Sequence, residues 1–149
     1  MLHLWDNAAD HELIVLFHTG VGNLGRGRPG GGGLRLAHGD PRLVDTVAAL
    51  YPQLQVIIAH SGSLWKEEAL AVAAHKQNVW LTLVGAPASD YALLQETGDP
   101  PLDVERCLFG SDWAFADVDE QLKGWELIDE DLRRKVLNEN AAGLLSHES

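Results

Sequence analysis

The clearest strand in this chain reads Val56-Ile57-Ile58-Ala59-His60-Ser61-Gly62. Its first four residues form an apolar run that is long enough for a buried strand and too short for a helix. The run ends at a histidine, and the Ser-Gly pair that follows predicts a turn into a new element. A buried strand that ends in an imidazole is a common way to present a catalytic or metal-binding group at the edge of a parallel sheet.

Three further strands are predicted, and two of them also lead to a polar group. An apolar run at 13–17 stops at His18, a run at 104–109 leads to Asp112, and the third strand spans 78–83. Apolar periodicity and capping residues predict helices at 3–11, 41–51, 64–75, 89–96, 118–128 and 131–145. Leu43, Leu64 and Ala71 are among the positions of these helices that are predicted to be buried. Strands that alternate with helices indicate an α/β fold with a parallel sheet.

The three polar groups at the strand ends are expected to converge. Alternate side chains of a strand face the same side, and counting back in twos from His18, His60 and Asp112 reaches only apolar or glycine residues. All strands of a parallel sheet end on the same side. Two imidazoles and a carboxylate are a suitable donor set for a divalent transition metal. If each group is considered alone, the simpler interpretation is that it caps an element or supports the site without reacting.

Composition narrows the function classes. The chain has 149 residues and a formal net charge of -11, from 22 acidic and 11 basic residues. This charge argues against nucleic acid or an anionic membrane as a partner, since both require a positive surface. The single cysteine, Cys107, cannot form an intramolecular disulfide, which fits a reducing compartment. It lies in an apolar strand, which predicts an inert thiol in the core. With neither a signal peptide nor an apolar run of membrane-spanning length, we expect a soluble cytoplasmic domain.

Four short motifs occur in order along the chain. They are Phe17-His18-Thr19-Gly20, Ile58-Ala59-His60-Ser61-Gly62, Leu108-Phe109-Gly110-Ser111-Asp112-Trp113 and Asn140-Ala141-Ala142-Gly143-Leu144-Leu145. Together they resemble the C-terminal half of the amidohydrolase-related family, in the branch that includes the aminocarboxymuconate-semialdehyde and resorcylate decarboxylases. The resemblance covers essentially the whole chain. It implies one domain over residues 1–149 that forms part of a TIM (β/α)8 barrel, about four βα units equivalent to strands five to eight.

The resemblance also implies roles for the three polar groups. His18 corresponds to a metal-binding histidine, and His60 to a histidine that ligates the metal or handles protons beside it. Asp112 corresponds to an aspartate that binds the metal and orients the metal-activated water. The activity implied is that of a metal-dependent hydrolase, with zinc as the expected ion and a small carboxylated or cyclic molecule as substrate. Non-oxidative decarboxylation, a carbon-carbon lyase reaction, is the alternative within the same family.

One departure from the family pattern leaves the enzymatic status open. Family members are barrels of about 250 residues, and they begin with a His-x-His pair on strand one. This chain contains no His-x-His pair, and the first four strands have no counterpart in it. The competing interpretation is a catalytically inactive remnant, or a subunit completed by a partner, either as a homo-oligomer or with a separate N-terminal half. A sheet with an open edge on each side predicts self-association or poor stability.

A glycine-rich loop at 19–40 is expected to lie over the barrel mouth. Arg26 and Arg28 in this loop are candidates to bind a substrate carboxylate, with a solvated loop as the alternative. Trp65 and Trp113 each follow a site motif and are candidates to line a substrate pocket, although packing of helix against sheet is the commoner role. Residues 25–30 also match Gly-x-Gly-x-x-Gly, but no helix follows them directly, which disfavours a nucleotide-binding module.

Overall fold

The structure, a computed structural model, describes residues 2–60, 63–84 and 101–146. Four strands form one parallel sheet in chain order, namely β1 (Val15–His18), β2 (Val56–Ala59), β3 (Val79–Leu83) and β4 (Cys107–Phe109). In the pairing register, His18 lies opposite Ala59, and Thr82 lies opposite Leu108. The predicted parallel α/β sheet is therefore confirmed, and its four strands end on the same side.

Helices alternate with these strands. They are α1 (Leu2–Asp10), α2 (Arg42–Leu50), α3 (Lys66–His75), α4 (Val118–Trp125), α5 (Glu130–Arg134) and α6 (Asn140–Leu145). A π-helical turn, Lys135–Glu139, joins α5 to α6. The helix predicted at 89–96 lies outside the described residues, and the other predicted helices are present. Within the described part of the chain, no helix combines the length and the apolar character needed to cross a membrane.

The two faces of the sheet are covered by different helices. One face, which includes Val56, Ile58 and Leu81, packs against residues of α1 to α5 and forms the main core. The opposite face is here called the inner face. By strand register it consists of Leu16, His18, Ile57, Ala59, Trp80, Thr82 and Leu108.

Helix α6 covers only part of the inner face. Its residues Ala141 and Leu144 pack with Ile57 and Leu108, which are 9% and 6% exposed. Leu16, on the strand at the sheet edge, stays 59% exposed. The inner face is therefore closed near β4 and open near β1.

The C-terminal helical segment passes from one face of the sheet to the other. Val136 in the π-helical turn is fully buried in the main core, whereas Leu144 in α6 packs on the inner face. Between them, the Asn140 side chain donates hydrogen bonds to the carbonyl oxygens of Val104 and Cys107, at 2.6 and 2.7 Å. These two bonds fix the position at which the segment changes faces.

Three predicted core positions are wrong. Leu43 and Leu64 are 53% and 75% exposed, and Ala71 is also exposed. Leu64 falls in a short 3-10 turn before α3, so the helical periodicity does not extend to it. Leu43 is one helical step, about 100°, away from Val44, which is buried.

Candidate functional site

Two of the predicted site residues meet at the strand ends. His18 is the last residue of β1, and His60 directly follows β2. The centres of their imidazole rings lie 4.8 Å apart, with an angle of 72° between the ring planes. The structure thus brings together two nitrogen donors from neighbouring strands.

The reason for this meeting differs from the one that strand alternation predicts. Because His18 pairs with Ala59, regular alternation places the residue after Ala59 with Ile58, on the helix-covered face. His60 instead has a φ of 66°, in the left-handed region. This local change of backbone conformation ends the alternation and turns the His60 ring towards His18. The expectation that His60 simply continues the Ile58 row is therefore wrong.

Two buried threonines hold the backbone on either side of His60. The His60 N–H donates to Thr82 Oγ1 at 3.1 Å. Thr19 Oγ1 donates to the Ala59 and His60 carbonyl oxygens at 3.1 and 3.4 Å. Thr19 and Thr82 are 2% and 7% exposed. Neither threonine was predicted to contribute to the site, although a threonine directly after a strand-ending histidine and one inside a buried strand are recognisable signals.

The electrostatic setting of His60 favours a neutral ring. Partial burial lowers the pKa of His60, the neighbouring His18 lowers it further, and the Asp112 carboxylate acts in the opposite direction. Desolvation disfavours the charged imidazolium, and two imidazolium cations in contact repel each other. The neutral form is the one that binds a metal or accepts a proton.

Asp112 lies close enough to act on His60 electrostatically but is itself exposed. Its φ is 54°, and its carbonyl oxygen accepts a hydrogen bond from the Phe115 N–H at 2.8 Å. Ser111, beside it, is held by Gln121 of α4, whose side-chain amide donates to the Ser111 carbonyl at 2.7 Å. The aspartate therefore sits in a tight turn anchored to the following helix.

The donor set for a metal is incomplete within the described residues. Among residues 2–60, 63–84 and 101–146, no three His, Cys, Asp or Glu side chains lie close enough to hold an ion together. His18 and His60 are suitable in chemical type, since imidazole suits zinc and other transition metals. The described part of the chain thus supplies two suitable donors and a neighbouring carboxylate, which is fewer than a closed site requires.

The glycine-rich loop starts at the histidine pair. Its base is closed by a hydrogen bond from the Gly20 N–H to the Gly39 carbonyl at 2.8 Å. Gly22 lies against His18, because a Cβ added there would be 3.3 Å from His18 Nε2. The loop contains short 3-10 turns at Pro29–Gly33 and Leu36–Gly39 and runs on to α2. Its glycines therefore do not open a helix, which removes the geometry of a dinucleotide site.

The four predicted substrate contacts differ in their exposure. Arg26 and Arg28 are exposed, and Arg26 donates to Asn23 Oδ1 at 3.3 Å. Trp65 is half-buried, and Trp113 is 77% exposed, so Trp113 does not pack a helix against the sheet. None of the four has a recorded contact with the imidazole pair among the described residues. Cys107, in contrast, is buried in the core, and burial raises its pKa to about 12.

Three solved structures share this fold. An uncharacterised TIM-barrel protein from Bordetella bronchiseptica is 22% identical with a TM-score of 0.72, and the match covers 97% of this chain and 49% of that protein. A dihydroxybenzoic acid decarboxylase from Polaromonas, solved with manganese and 2-nitroresorcinol, is 19% identical with a TM-score of 0.64 and coverages of 95% and 52%. A putative 2-pyrone-4,6-dicarboxylic acid hydrolase from Pseudomonas putida is 17% identical with a TM-score of 0.60 and coverages of 98% and 56%.

These matches bear on the fold. The chain spans about half the length of each barrel, so its four-stranded sheet is part of a TIM barrel, as predicted. A comparison with curated protein sequences gives no significant match. The amidohydrolase family model matches residues 2–146, nearly the full length of the chain. Because this match covers nearly the whole chain, this chain belongs to the amidohydrolase family.

Proposed function

We propose that this chain carries one side of the active site of a metal-dependent hydrolase that acts on a small carboxylated or cyclic substrate. The observation that supports this most directly is the contact between the His18 and His60 rings, 4.8 Å apart at the strand ends. The membership of the chain in the amidohydrolase family gives that contact its chemical context.

In this proposal, His18 and Asp112 are two of the ligands of a divalent ion, with zinc as the expected metal. The remaining ligands come from outside the described residues. A bound ion of this kind polarises a carbonyl group or lowers the pKa of water. His60, whose pKa is lowered by partial burial and by the neighbouring His18, and whose backbone N–H is held by Thr82, accepts or delivers a proton at its ring nitrogen.

Substrate binding is proposed for the residues around the strand ends. The side chains of Arg26 and Arg28 are exposed, and neither forms an ion pair with another of the described residues. Guanidinium groups bind carboxylates in a bidentate manner. The indole rings of Trp65 and Trp113 offer flat apolar surfaces to a cyclic substrate.

Non-oxidative decarboxylation is the second candidate. The fold similarity to the Polaromonas decarboxylase, with a TM-score of 0.64, is as strong as that to the Pseudomonas hydrolase, at 0.60. The two reactions differ in their products. Hydrolysis of a cyclic ester consumes water and releases an acid, whereas decarboxylation breaks a carbon-carbon bond and releases carbon dioxide.

Metal binding is the first test. The purified chain is loaded with zinc or manganese, passed through a desalting column and analysed for retained metal. We expect retained ion in the unaltered chain, its loss in His18→Ala and Asp112→Asn, and its retention in His38→Ala, which removes an exposed loop histidine. A chain that retains no metal under any of these conditions contradicts the proposal.

The reaction is tested next with the metal-loaded chain. We offer it 2-pyrone-4,6-dicarboxylate and a dihydroxybenzoate and record acid release and carbon dioxide release separately. Acid release that disappears in His60→Ala supports the hydrolase, and carbon dioxide release supports the decarboxylase. Retained metal without turnover of any carboxylated ring compound supports the interpretation of an inactive remnant.

A further inference from the structure

The inner face carries an exposed apolar region close to the candidate site. Leu16 is 59% exposed there, and it lies two residues before His18 on the same face of β1. Helix α6 shields Ile57 and Leu108 but does not extend to Leu16. The uncovered part of the inner face is therefore the part that borders the imidazole pair.

The inner face is also uncharged in a strongly acidic chain. The four strands contain no Asp, Glu, Lys or Arg, although the net charge of the chain is -11. Association of two acidic chains is opposed by charge repulsion unless the contact avoids the carboxylates. Because the strands contain no Asp or Glu, two copies can meet through the inner face without bringing carboxylates of the strands together.

The sheet edges show the same incompleteness. Within the described residues, β1 and β4 each have one neighbouring strand. The barrels of the same fold are about twice as long as this chain, and a TIM barrel closes with eight parallel strands. Two copies of a four-stranded parallel sheet, related by a two-fold axis along the barrel axis, supply eight.

We infer that the part of the inner face that α6 leaves uncovered binds a second copy of this chain, with β1 of each copy beside β4 of the other. This arrangement buries Leu16 and gives the free edges a hydrogen-bonding partner. It also places the His18 and His60 pairs of both copies at one barrel mouth. That last consequence rests on the proposed function, since it supplies the donors that the described residues of one copy lack.

The mass of the chain in solution tests this inference directly. Light scattering after gel filtration, without added metal or substrate, is expected to give about twice the 16.2 kDa of one chain at micromolar concentration. The expected effect of Leu16→Glu is an increase of about tenfold or more in the dimer dissociation constant, because it buries a charge in the contact. A monomer at every concentration tested overturns the inference.

A matched variant separates the inner face from other apolar surfaces. Leu50, at the end of α2, is 63% exposed and does not lie on the inner face. Leu50→Glu should leave the dimer unchanged, with circular dichroism used to check that both variants fold. Hydrogen exchange adds a second measurement, since the amides of Val15–His18 should exchange more slowly as the chain concentration rises. If both substitutions weaken the dimer equally, the contact lies elsewhere. The same conclusion follows if a dimer forms but the β1 amides exchange as fast as in the monomer.

The mass result is independent of catalysis. A metal-free, inactive dimer would support the inference while contradicting the proposed function. A monomer that binds metal and turns over substrate would do the reverse.

Discussion

At the scale of single residues, the meeting of the two imidazole rings depends on the backbone conformation of His60. His60 has a φ of 66°, which for a residue other than glycine costs about 1–3 kcal/mol. The hydroxyl groups of Thr19 and Thr82 hold the peptide groups around it. These two threonines therefore act on the position of the imidazole, although neither contributes a functional group to the chemistry.

The Thr82 hydroxyl provides a test of this anchor. Thr82→Val keeps the shape of the side chain but leaves the His60 N–H without its acceptor, so we expect the free energy of unfolding to fall by about 1–3 kcal/mol. Urea denaturation measures the change. Thr82→Ser, which retains the hydroxyl, should lose less, and Thr46→Val on the exposed side of α2 should change stability by no more than about 0.5 kcal/mol. A Thr82→Val chain as stable as Thr82→Ser would contradict the role of the hydroxyl.

Cys107 gives a prediction about pH. Burial raises the pKa of its thiol from 9.0 to about 12 in the folded chain. The unfolded chain therefore loses the thiol proton first as pH rises, and the stability that the neutral thiol contributes is complete below about pH 9 and declines towards pH 12. The free energy of unfolding should fall more steeply over this range in the unaltered chain than in Cys107→Ala.

The same burial predicts low thiol reactivity. Ellman's reagent at neutral pH should modify Cys107 slowly in the folded chain and rapidly in urea, because the thiolate is the reactive form. Rapid modification of the folded chain would contradict the burial of this side chain.

At the scale of elements, the C-terminal helical segment is the least regular part of the described fold. It packs on the main core through Leu132 and Val136 and on the inner face through Leu144. The π-helical turn lies between these contacts, and Asn140 follows it directly. A π-helical turn contains one residue more than an α-helical turn, so the side chains that follow it are rotated about the helix axis relative to those that precede it. This rotation accompanies the change from one face of the sheet to the other.

Asn140 is the residue to change in this segment. It is 8% exposed and bonds two backbone carbonyls, so Asn140→Ala should lower the free energy of unfolding by about 2–3 kcal/mol. Asn140→Asp has nearly the same shape but no amide donor, and we expect it to be at least as destabilising. Asn138→Ala, at an exposed position of the same segment, is the control. A tolerated Asn140→Asp would show that packing alone positions the segment.

Element-scale features were also the most predictable from sequence. Apolar runs ending at His18 and His60 indicated the strands, and the alternation of strands with helices indicated the parallel sheet. The left-handed conformation of His60 was not predictable, because its stabilising bonds come from Thr19 and Thr82, which are distant in sequence. The exposure of Leu64 was missed because the helix begins after a 3-10 turn. The coverage of Ile57 by α6 depends on a contact between residues that are far apart in the sequence.

At the scale of the whole molecule, the dominant feature is a parallel sheet that is covered fully on one face and partly on the other. A chain with a net charge of -11 is expected to remain soluble through its acidic outer surface. The four strands that form the inner face contain no Asp, Glu, Lys or Arg. This distribution favours a specific contact over general aggregation.

The inferred dimer has a consequence for thermal stability. When folding is linked to association, the unfolding midpoint rises with chain concentration. We expect differential scanning calorimetry to show this rise, and to show a larger midpoint in higher salt, because salt screens the repulsion between two acidic chains. Leu16→Glu should lower the midpoint at a given chain concentration and move its rise to higher concentrations, and a midpoint independent of concentration in the unaltered chain would contradict the linkage.

The position of α6 on the inner face has a consequence for synthesis on the ribosome. Ile57 and Leu108 leave the ribosome well before Leu144, the residue that covers them. At about 5–20 residues per second, several seconds separate the appearance of Ile57 from that of its cover. During this interval the nascent sheet presents bare apolar surface on the side where the imidazole pair forms. The synthesis of α6 therefore ends the period in which this face is open to a chaperone.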